Sequence, residues 1–474
     1  MLLMFLALFA STSVIQVVQA ETLADNSRNT RALYDSYEVQ RGSIIASGAA
    51  IASSVPSDDV FAWQRVYVDG DMWAPVTGYI NPALGAATGI EQAMNQELSG
   101  TAGSQFLARI DRILTGQPPR GSNVELTLDA AVQRAAYDAL GDLQGAVIAI
   151  EPSTGRVLAM VTSPSYDTNL LASHNTDEVN DVYDALDADP THPLFNRAIG
   201  GDLNPPGSTF KLVVASAALA SGDYTPQSTL PNPASYQLPQ SSSTIFNASG
   251  GACGPGETVT IADALRLSCN IPFAELAVQL GDTAIREEAE KYGFNTSFTM
   301  PLTSTASSYP RALDDPQTAL TGFGQGQVTA TPLQMAMVSA GIANEGVVMN
   351  PRMVDRVIGA DLSVEQTFDD TEFGRALDGD IAAQLLAMMV ANVSDGAASG
   401  ATIDGVDVGG KTGTAENGSG QPYTLWFTGF APAENPQVAV AVVVEDGGGQ
   451  GQSGSGNTIA APIAKKVMEA VLGR

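Results

Sequence analysis

Asn204-Pro205-Pro206-Gly207-Ser208-Thr209-Phe210-Lys211, followed by the alanine-rich run Leu212 to Leu219, is the stretch from which the rest of the chain can be read. The two prolines and the glycine cannot carry a helix, whereas the run after them should form one. Ser208 therefore lies at a helix N-terminus, where amide N–H groups and the helix dipole favour negative charge. Ser208 and Lys211 are three apart and share a helix face. A buried, neutral lysine there can take the serine proton and activate the hydroxyl as a nucleophile. S-x-x-K is weak alone, because this chain is rich in serine, so its value depends on what accompanies it.

Two further motifs come after it in order. Ser268-Cys269-Asn270 lies between a helix starting near Thr260 and another starting near Pro272. A helix–helix connection of that kind can point into a cleft. There Ser268 could relay a proton to a leaving amine, and the Asn270 amide could hold a substrate backbone. S-x-N also occurs at Ser27-Arg28-Asn29, Ser173-His174-Asn175 and Ser455-Gly456-Asn457, and position decides between them. The last motif is Lys411-Thr412-Gly413-Thr414. On a strand, Thr412 and Thr414 share a face and can bind a peptide carboxylate. Lys411 adds positive charge, Gly413 allows close approach, and an extended peptide can pair along the edge. Gly405 to Thr412 also matches the phosphate-binding pattern G-x-x-x-x-G-K-[ST]. That reading needs a buried strand before the lysine and a helix after it. Glu416 to Pro422 is instead a turn, so the nucleotide reading is set aside.

Around these motifs the pattern is α/β. Val124 to Leu128 reads as a strand and Asp129 to Leu140 as a helix capped by Asp129. Gly145 to Glu151 and Arg156 to Thr162 form a hairpin around Pro152-Ser153-Thr154-Gly155. Val408 to Ala415, Tyr423 to Phe430 and Gln437 to Glu445 are strands, and Thr458 to Leu472 is a helix. A long, mainly helical middle runs from Ser208 to Asn392, with a helix start at Thr331-Pro332. The expected architecture is an antiparallel sheet built from both ends of a domain, with helices inserted between. Before it, residues 21–120 form a first region without helical periodicity, closed by a linker at Gln117-Pro118-Pro119-Arg120-Gly121.

The formal net charge of −29 argues against a nucleic-acid partner, which would need a basic face. Lysine is scarce: Lys211, Lys291, Lys411, Lys465 and Lys466 are the full set, and two of them fall in the motifs above. Burial can tune a lysine toward neutrality, whereas arginine stays charged. His174 and His192 are the only histidines, and both read as incidental loop residues.

Met1 to Val18 is uncharged and mostly apolar, about long enough to span a bilayer. Three readings stand: a signal anchor, a cleavable signal peptide ending at Val18-Gln19-Ala20, or a core helix. We carry the anchor forward. Either exported form places the remaining chain outside the cytoplasm. Cys253 and Cys269, with fifteen residues between them, can then pair, and two buried free thiols are the alternative.

S-x-x-K, S-x-N and K-T-G in this order resemble the motif set of the penicillin-binding transpeptidases. Within them the chain resembles the membrane-anchored class B enzymes and, among these, the penicillin-binding protein A type. Gly322-Phe323-Gly324-Gln325-Gly326-Gln327-Val328 is similar to the family's Gly-Gln-Gly segment, and Trp426 to Pro432 to the strand after K-T-G. Arg41-Gly42 and Gly89-Ile90-Glu91 resemble motifs of the non-catalytic N-terminal domain. Two departures are the missing basic cytoplasmic tail and the cysteine inside Ser268-Cys269-Asn270.

The resemblance implies three segments: an anchor or signal segment at 1–20, an N-terminal dimerisation-like domain at 21–122 and a transpeptidase domain at 123–474. The last would be a β-lactamase-like fold, with a five-stranded antiparallel sheet flanked by helices and a helical subdomain. It further implies that Ser208 attacks the penultimate D-alanine of a D-Ala-D-Ala stem. The amides of Ser208 and Thr414 would hold the oxyanion, and an amine of a second stem would resolve the acyl-enzyme. Lys211, Ser268, Asn270 and Lys411 would complete the catalytic set, with Thr412, Gly413 and Thr414 binding substrate. No cofactor and no metal ion is expected. The implied partners are peptidoglycan stem peptides, β-lactams, the cell membrane and a membrane glycan polymerase. A D,D-carboxypeptidase, a β-lactam sensor or inactive scaffold, and a β-lactamase share the motifs and remain the alternatives. The Glu-Asp-x-x-Phe-x-x-His signature of a glycosyltransferase is absent.

Overall fold

The computed structural model describes residues 2–15, 39–59, 61–81, 84–105, 120–248 and 250–474. The N-terminal run forms helix α1 (Leu2–Ser13). At 1.5 Å per residue it is shorter than the roughly 30 Å of a bilayer core. Among the described residues no helix is long and apolar enough to cross a membrane. Val18-Gln19-Ala20 and residues 117–119 of the linker lie outside the described residues.

Two sheets organise the remaining chain. Strands β1 (Ile44–Ala46), β2 (Ala49–Pro56), β3 (Trp63–Tyr67) and β4 (Asn123–Leu126) begin the first. Strands β5 (Gly145–Ile150) and β6 (Val157–Ser163) begin the second. The chain returns to the first sheet with β7 (Val354–Ile358) and β8 (Val364–Thr367). It completes the second with β9 (Gly409–Ala415), β10 (Thr424–Ala431) and β11 (Val438–Val444). The spatial orders are β8-β7-β4-β1-β2-β3 and β9-β10-β11-β5-β6.

The second sheet is antiparallel throughout, and every residue of β10 and β11 is buried. Its strands read as continuous apolar runs because both faces are covered. Val147, Ala149, Val440, Val442 and Phe427 face one core, whereas Ala146, Ile148, Ala441, Val443 and Trp426 face the other. Helices α2 (Ala130–Leu140), α6 (Pro332–Ala343), α7 (Gly379–Asp395) and α8 (Ala461–Val471) pack on this sheet, whereas α3 (Lys211–Ala220), α4 (Ile261–Arg266) and α5 (Ile271–Leu280) pack on one another, with α3 and α4 also against α7. Helices α2 and α8 close the first core, while α6 crosses the opposite face and is buried at every residue. The predicted cap at Asp129 and the predicted helix start at Thr331-Pro332 both form. Asp129 accepts from Ala131 and Val132 N–H at 2.8 and 3.1 Å, and Thr331 Oγ1 accepts from Gln334 N–H at 3.1 Å.

The middle of the chain is less helical than expected, because β7 and β8 interrupt it to join the N-terminal sheet. Strand β8, Val364-Glu365-Gln366-Thr367, is a largely exposed edge strand and carries little apolar signal. The first sheet thus mixes strands from 44–67 with strands from 123–126 and 354–367.

Arg41 and Glu91, which belong to two short sequence motifs, form one buried cluster in the N-terminal region. Glu91 is fully buried and binds Arg41 Nε at 2.5 Å and Arg65 Nε at 2.6 Å. Arg65 Nη1 also donates to Gly42 O at 2.8 Å, and Tyr67 OH to Glu91 at 3.2 Å. Burial pushes the Glu91 carboxyl up. The charges of Arg65 and Arg41 and their hydrogen bonds outweigh it and hold the group below its ordinary 4.5.

Glu91→Gln leaves two buried guanidinium groups without a counter-charge. The expected destabilisation is about 3–5 kcal/mol, read from the first unfolding transition in a calorimeter. Because the folded pKa is depressed, this stabilisation is present above the unfolded value. It is lost as pH falls through the still lower folded one. Glu91→Gln should therefore flatten the acid limb of the stability curve below about pH 4.5.

Candidate active site

The nucleophile turn is a single 3-10 turn, Gly207–Phe210, that runs directly into α3. Three features hold it. Thr209 Oγ1 donates to Pro206 O at 2.7 Å, Trp426 Nε1 to Pro205 O at 2.9 Å, and Gly207 N–H to Gly324 O at 3.0 Å. Gly324 has φ +71°, and a Cβ there would lie 2.0 Å from Gly207 O, so only glycine lets the two segments cross. Ser208 is left half-buried.

Helix α3 is buried from Lys211 to Leu219, which carries the Lys211 stem and amine out of water. Lys211 Nζ contacts Ser208 Oγ at 2.9 Å, Ser268 O at 2.8 Å and Asn270 Oδ1 at 2.8 Å. The Phe273 ring lies 5.7 Å away. Lys411 Nζ, from edge strand β9, reaches Ser268 Oγ at 2.7 Å and Thr412 O at 3.0 Å. Both lysines are fully buried. Burial, with the neighbouring charge of Lys411, holds Lys211 well below the ordinary lysine range, and burial alone brings Lys411 down to about 7. Among the described residues neither lysine has an acidic partner; the lysine ion pairs are those of Lys291 and Lys465.

Ser268 occupies the α4–α5 connection, as expected, in the left-handed region with φ +62°. Such a conformation costs a serine on the order of 1–3 kcal/mol and persists only where neighbours fix it. Here Ser268 N–H donates to Leu265 O and Cys269 N–H to Ala264 O, at 3.1 and 2.8 Å. Cys269 is bonded to Cys253, which tethers the connection to the preceding loop. That loop is itself anchored by Asn232, whose carboxamide both accepts from Cys253 N–H and donates to Cys253 O, at 2.7 and 2.9 Å.

Strand β9 pairs on one side with β10, Lys411 opposite Thr428 and Gly413 opposite Trp426. Its other side is the sheet edge. Lys411 thus lies inside a strand, not at the start of a helix as a phosphate-binding loop requires. The two threonines differ: Thr412 is buried and donates to Ala397 O at 3.0 Å, whereas Thr414 is exposed. Gly413 makes room for the protein's own nucleophile turn. A Cβ there would lie 2.8 Å from Pro206 O and 3.3 Å from Thr209 Cγ2. Beyond the motif, the Gln325 carboxamide, in the orientation that satisfies both its atoms, brackets the Glu416 backbone. It accepts from the N–H at 3.0 Å and donates to the C=O at 3.2 Å. Thr414, two residues earlier, presents its backbone to the same free edge.

The structure therefore joins Ser208, Lys211, Ser268, Asn270 and Lys411 in one chain of contacts, with Thr412, Gly413 and Thr414 alongside. Sequence reasoning missed the supporting amides. Asn247 binds the start of α5, and Asn392 donates to Gly410 O at 2.9 Å behind β9. Asn247 sits in a serine-rich loop that gives no sequence signal. Among the described residues no cluster of three metal-ligating side chains occurs.

An α/β fold with a serine and two desolvated lysines at the edge of a five-stranded sheet defines the penicillin-binding class. Residues 145–469 match the penicillin binding protein transpeptidase domain, and residues 41–124 match the penicillin binding protein A dimerisation domain. The chain belongs to the penicillin-binding protein transpeptidase family. It is 40% identical over 480 aligned residues to the peptidoglycan D,D-transpeptidase PbpA of Mycolicibacterium smegmatis, covering 99% of this chain and 97% of that one. To PbpA of Mycobacterium tuberculosis it is 39% identical over 474 residues, covering 98% and 96%. The structure is similar to the ceftriaxone acyl-enzyme complex of penicillin-binding protein A from M. tuberculosis. The TM-score is 0.89 at 39% identity, over 93% of this chain and 100% of that one.

The disulfide closes a short loop against the active-site wall. Replacing both cysteines by serine should cost about 3 kcal/mol of stability in the chain-entropy account, read from thermal unfolding. Thiol titration of the denatured, unreduced wild type should find no free thiol; two free thiols would contradict the bond.

Proposed function

We propose that this chain cross-links peptidoglycan as a serine D,D-transpeptidase, with Ser208 as nucleophile and Lys211 as its base. The observation that carries the reading is the fully buried Lys211 amine 2.9 Å from Ser208 Oγ. A neutral amine has two N–H donors and one lone pair. Ser268 O and Asn270 Oδ1, both acceptors, take the two donors. The lone pair is then left for the Ser208 proton.

The order of events is set by that arrangement. Lys211 takes the hydroxyl proton as Ser208 Oγ attacks the carbonyl carbon of the penultimate D-alanine. The amides of Ser208 and Thr414 hold the oxyanion, at the head of the nucleophile turn and on the free edge of β9. Ser268 Oγ contacts both lysines, at 3.5 Å from Lys211 and 2.7 Å from Lys411, and passes the proton to the departing D-alanine amine. Lys411, brought down to about 7 by burial, and the exposed Thr414 draw the terminal carboxylate. An amine of a second stem then attacks the acyl-serine by the reverse proton route. β-Lactams acylate Ser208 in place of the stem. Neither step draws on a cofactor.

The uncharged N-terminal segment, residues 1–20, is assigned as the membrane anchor, which places the catalytic domain outside the cytoplasm. The presence of a disulfide fits that placement. Residues 21–122 serve as the non-catalytic domain and 123–474 as the transpeptidase domain. A membrane glycan polymerase would supply the strands to be cross-linked.

A fluorescent penicillin should label wild type covalently and slowly lose its label, while Ser208→Ala stays unlabelled. No label on folded wild type would overturn the reading, and rapid loss would indicate a β-lactamase. With a D-Ala-D-Ala donor and an amine acceptor, cross-linked product should form; free D-alanine without it would indicate a carboxypeptidase. Lys211 must be neutral to act as base, so acylation should fall as pH drops through its depressed pKa.

A further inference from the structure

We infer that Asn247 is a positioning residue for this reaction: it holds the Asn270 and Ile271 amides at the start of α5, and so fixes the backbone from which the Asn270 carboxamide orients the Lys211 amine. The inference rests on Lys211 being the base.

Asn270 is the N-cap of α5, where an asparagine ordinarily turns its own side-chain oxygen onto the first amides of the helix. Here it makes no such bond. Its Oδ1 accepts from Lys211 Nζ at 2.8 Å and its Nδ2 donates to Phe246 O at 3.2 Å. The helix start is not left bare. Asn247 Oδ1 accepts from Asn270 N–H at 2.9 Å and from Ile271 N–H at 3.0 Å. Asn247 Nδ2 donates to Gly251 O at 2.9 Å, and its side chain is buried. The Asn247 carboxamide thus has a partner for each end, and its neighbour Phe246 supplies the acceptor that fixes the Asn270 amide group.

The consequence falls on Lys211. Without Asn247, the Asn270 and Ile271 amides lose their shared acceptor, and the Asn270 backbone loses the bond that fixes it. A displaced Asn270 withdraws one of the two carbonyl oxygens that engage the amine. The remaining groups facing Lys211 are Ser208 on its own turn, Ser268 on the α4–α5 connection, the Phe273 ring on α5 and the charged Lys411 on β9. Losing an acceptor dipole favours the neutral amine, because an acceptor stabilises the ammonium more than the amine. An aspartate at 247 keeps the acceptor oxygen and adds a negative charge, which favours the ammonium.

The test is the penicillin acylation rate against pH for the full-length protein, with Asn247→Ala, Asn247→Asp and Asn270→Ala beside wild type, and a melting temperature for each. Asn247→Ala should acylate at least tenfold more slowly and shift the acid limb to lower pH, in the direction of Asn270→Ala. Asn247→Asp should recover much of the rate and shift the limb to higher pH. A limb that stays at the wild-type pH in both Asn247 variants, whatever their melting temperatures, would overturn the inference. If Asn247→Ala does not fold, the direction of the limb in Asn247→Asp decides alone. A wild type with no acid limb would remove Lys211 as the base, and the inference would fall with that reading.

Discussion

Lys211 Nζ is held out of water within 2.9 Å of a half-exposed serine, and the surrounding structure is arranged to keep it there. An exposed lysine would be an ammonium with no lone pair to offer. Burial alone would still leave it pointing anywhere. The helix that carries it is buried from Lys211 to Leu219, which supplies the desolvation. Two carbonyl oxygens, from Ser268 and Asn270, supply the direction. A second desolvated lysine, Lys411, adds electrostatic pressure toward neutrality and holds Ser268 between the two amines.

That arrangement demands a rigid frame, because its parts come from three distant segments. The sheet fixes Lys411 through the full register of β9 on β10. The nucleophile turn is pinned by backbone crossings that only glycine tolerates, at Gly324 above it and Gly413 beneath it. The Ser268 connection, in a left-handed conformation, is bound by the Cys253–Cys269 bond and by the Asn247 and Asn232 carboxamides. Strain at Ser268 is thus confined to the residue that contacts both lysines. The buried Arg41–Glu91–Arg65 cluster plays the corresponding part in the N-terminal region, at a distance from the chemistry.

Much of this was legible in the sequence. The apolar runs of β5, β6, β10 and β11 and the caps at Asp129 and Thr331 carry local signals that the structure repeats. The three motifs were readable because each fixes its own local structure: a helix start, a helix connection and an edge strand. What escaped had no local signal. Strand β8 is polar and exposed, and the sheet it joins through β7 was begun by strands far earlier in the chain. Asn247 and Asn392 act through side-chain hydrogen bonds to the backbone of other elements, which no spacing rule encodes. Gly413 was readable as a close-approach glycine, but only the fold shows that Pro206 lies against it. Thr412 likewise shows a strand position in the sequence and its Ala397 partner only in the fold.

The scarcity of lysine offers a direct way to check that Lys211 is neutral. With five lysines in the chain, selective labelling of the lysine ε-carbon yields five resonances to follow by NMR as pH is varied. Two of them should titrate below the ordinary lysine range. One should be assignable by Lys411→Arg to a group near 7, and the other should disappear in Lys211→Arg. Five resonances all titrating near 10.5 would contradict the account, because a protonated Lys211 could not take the Ser208 proton.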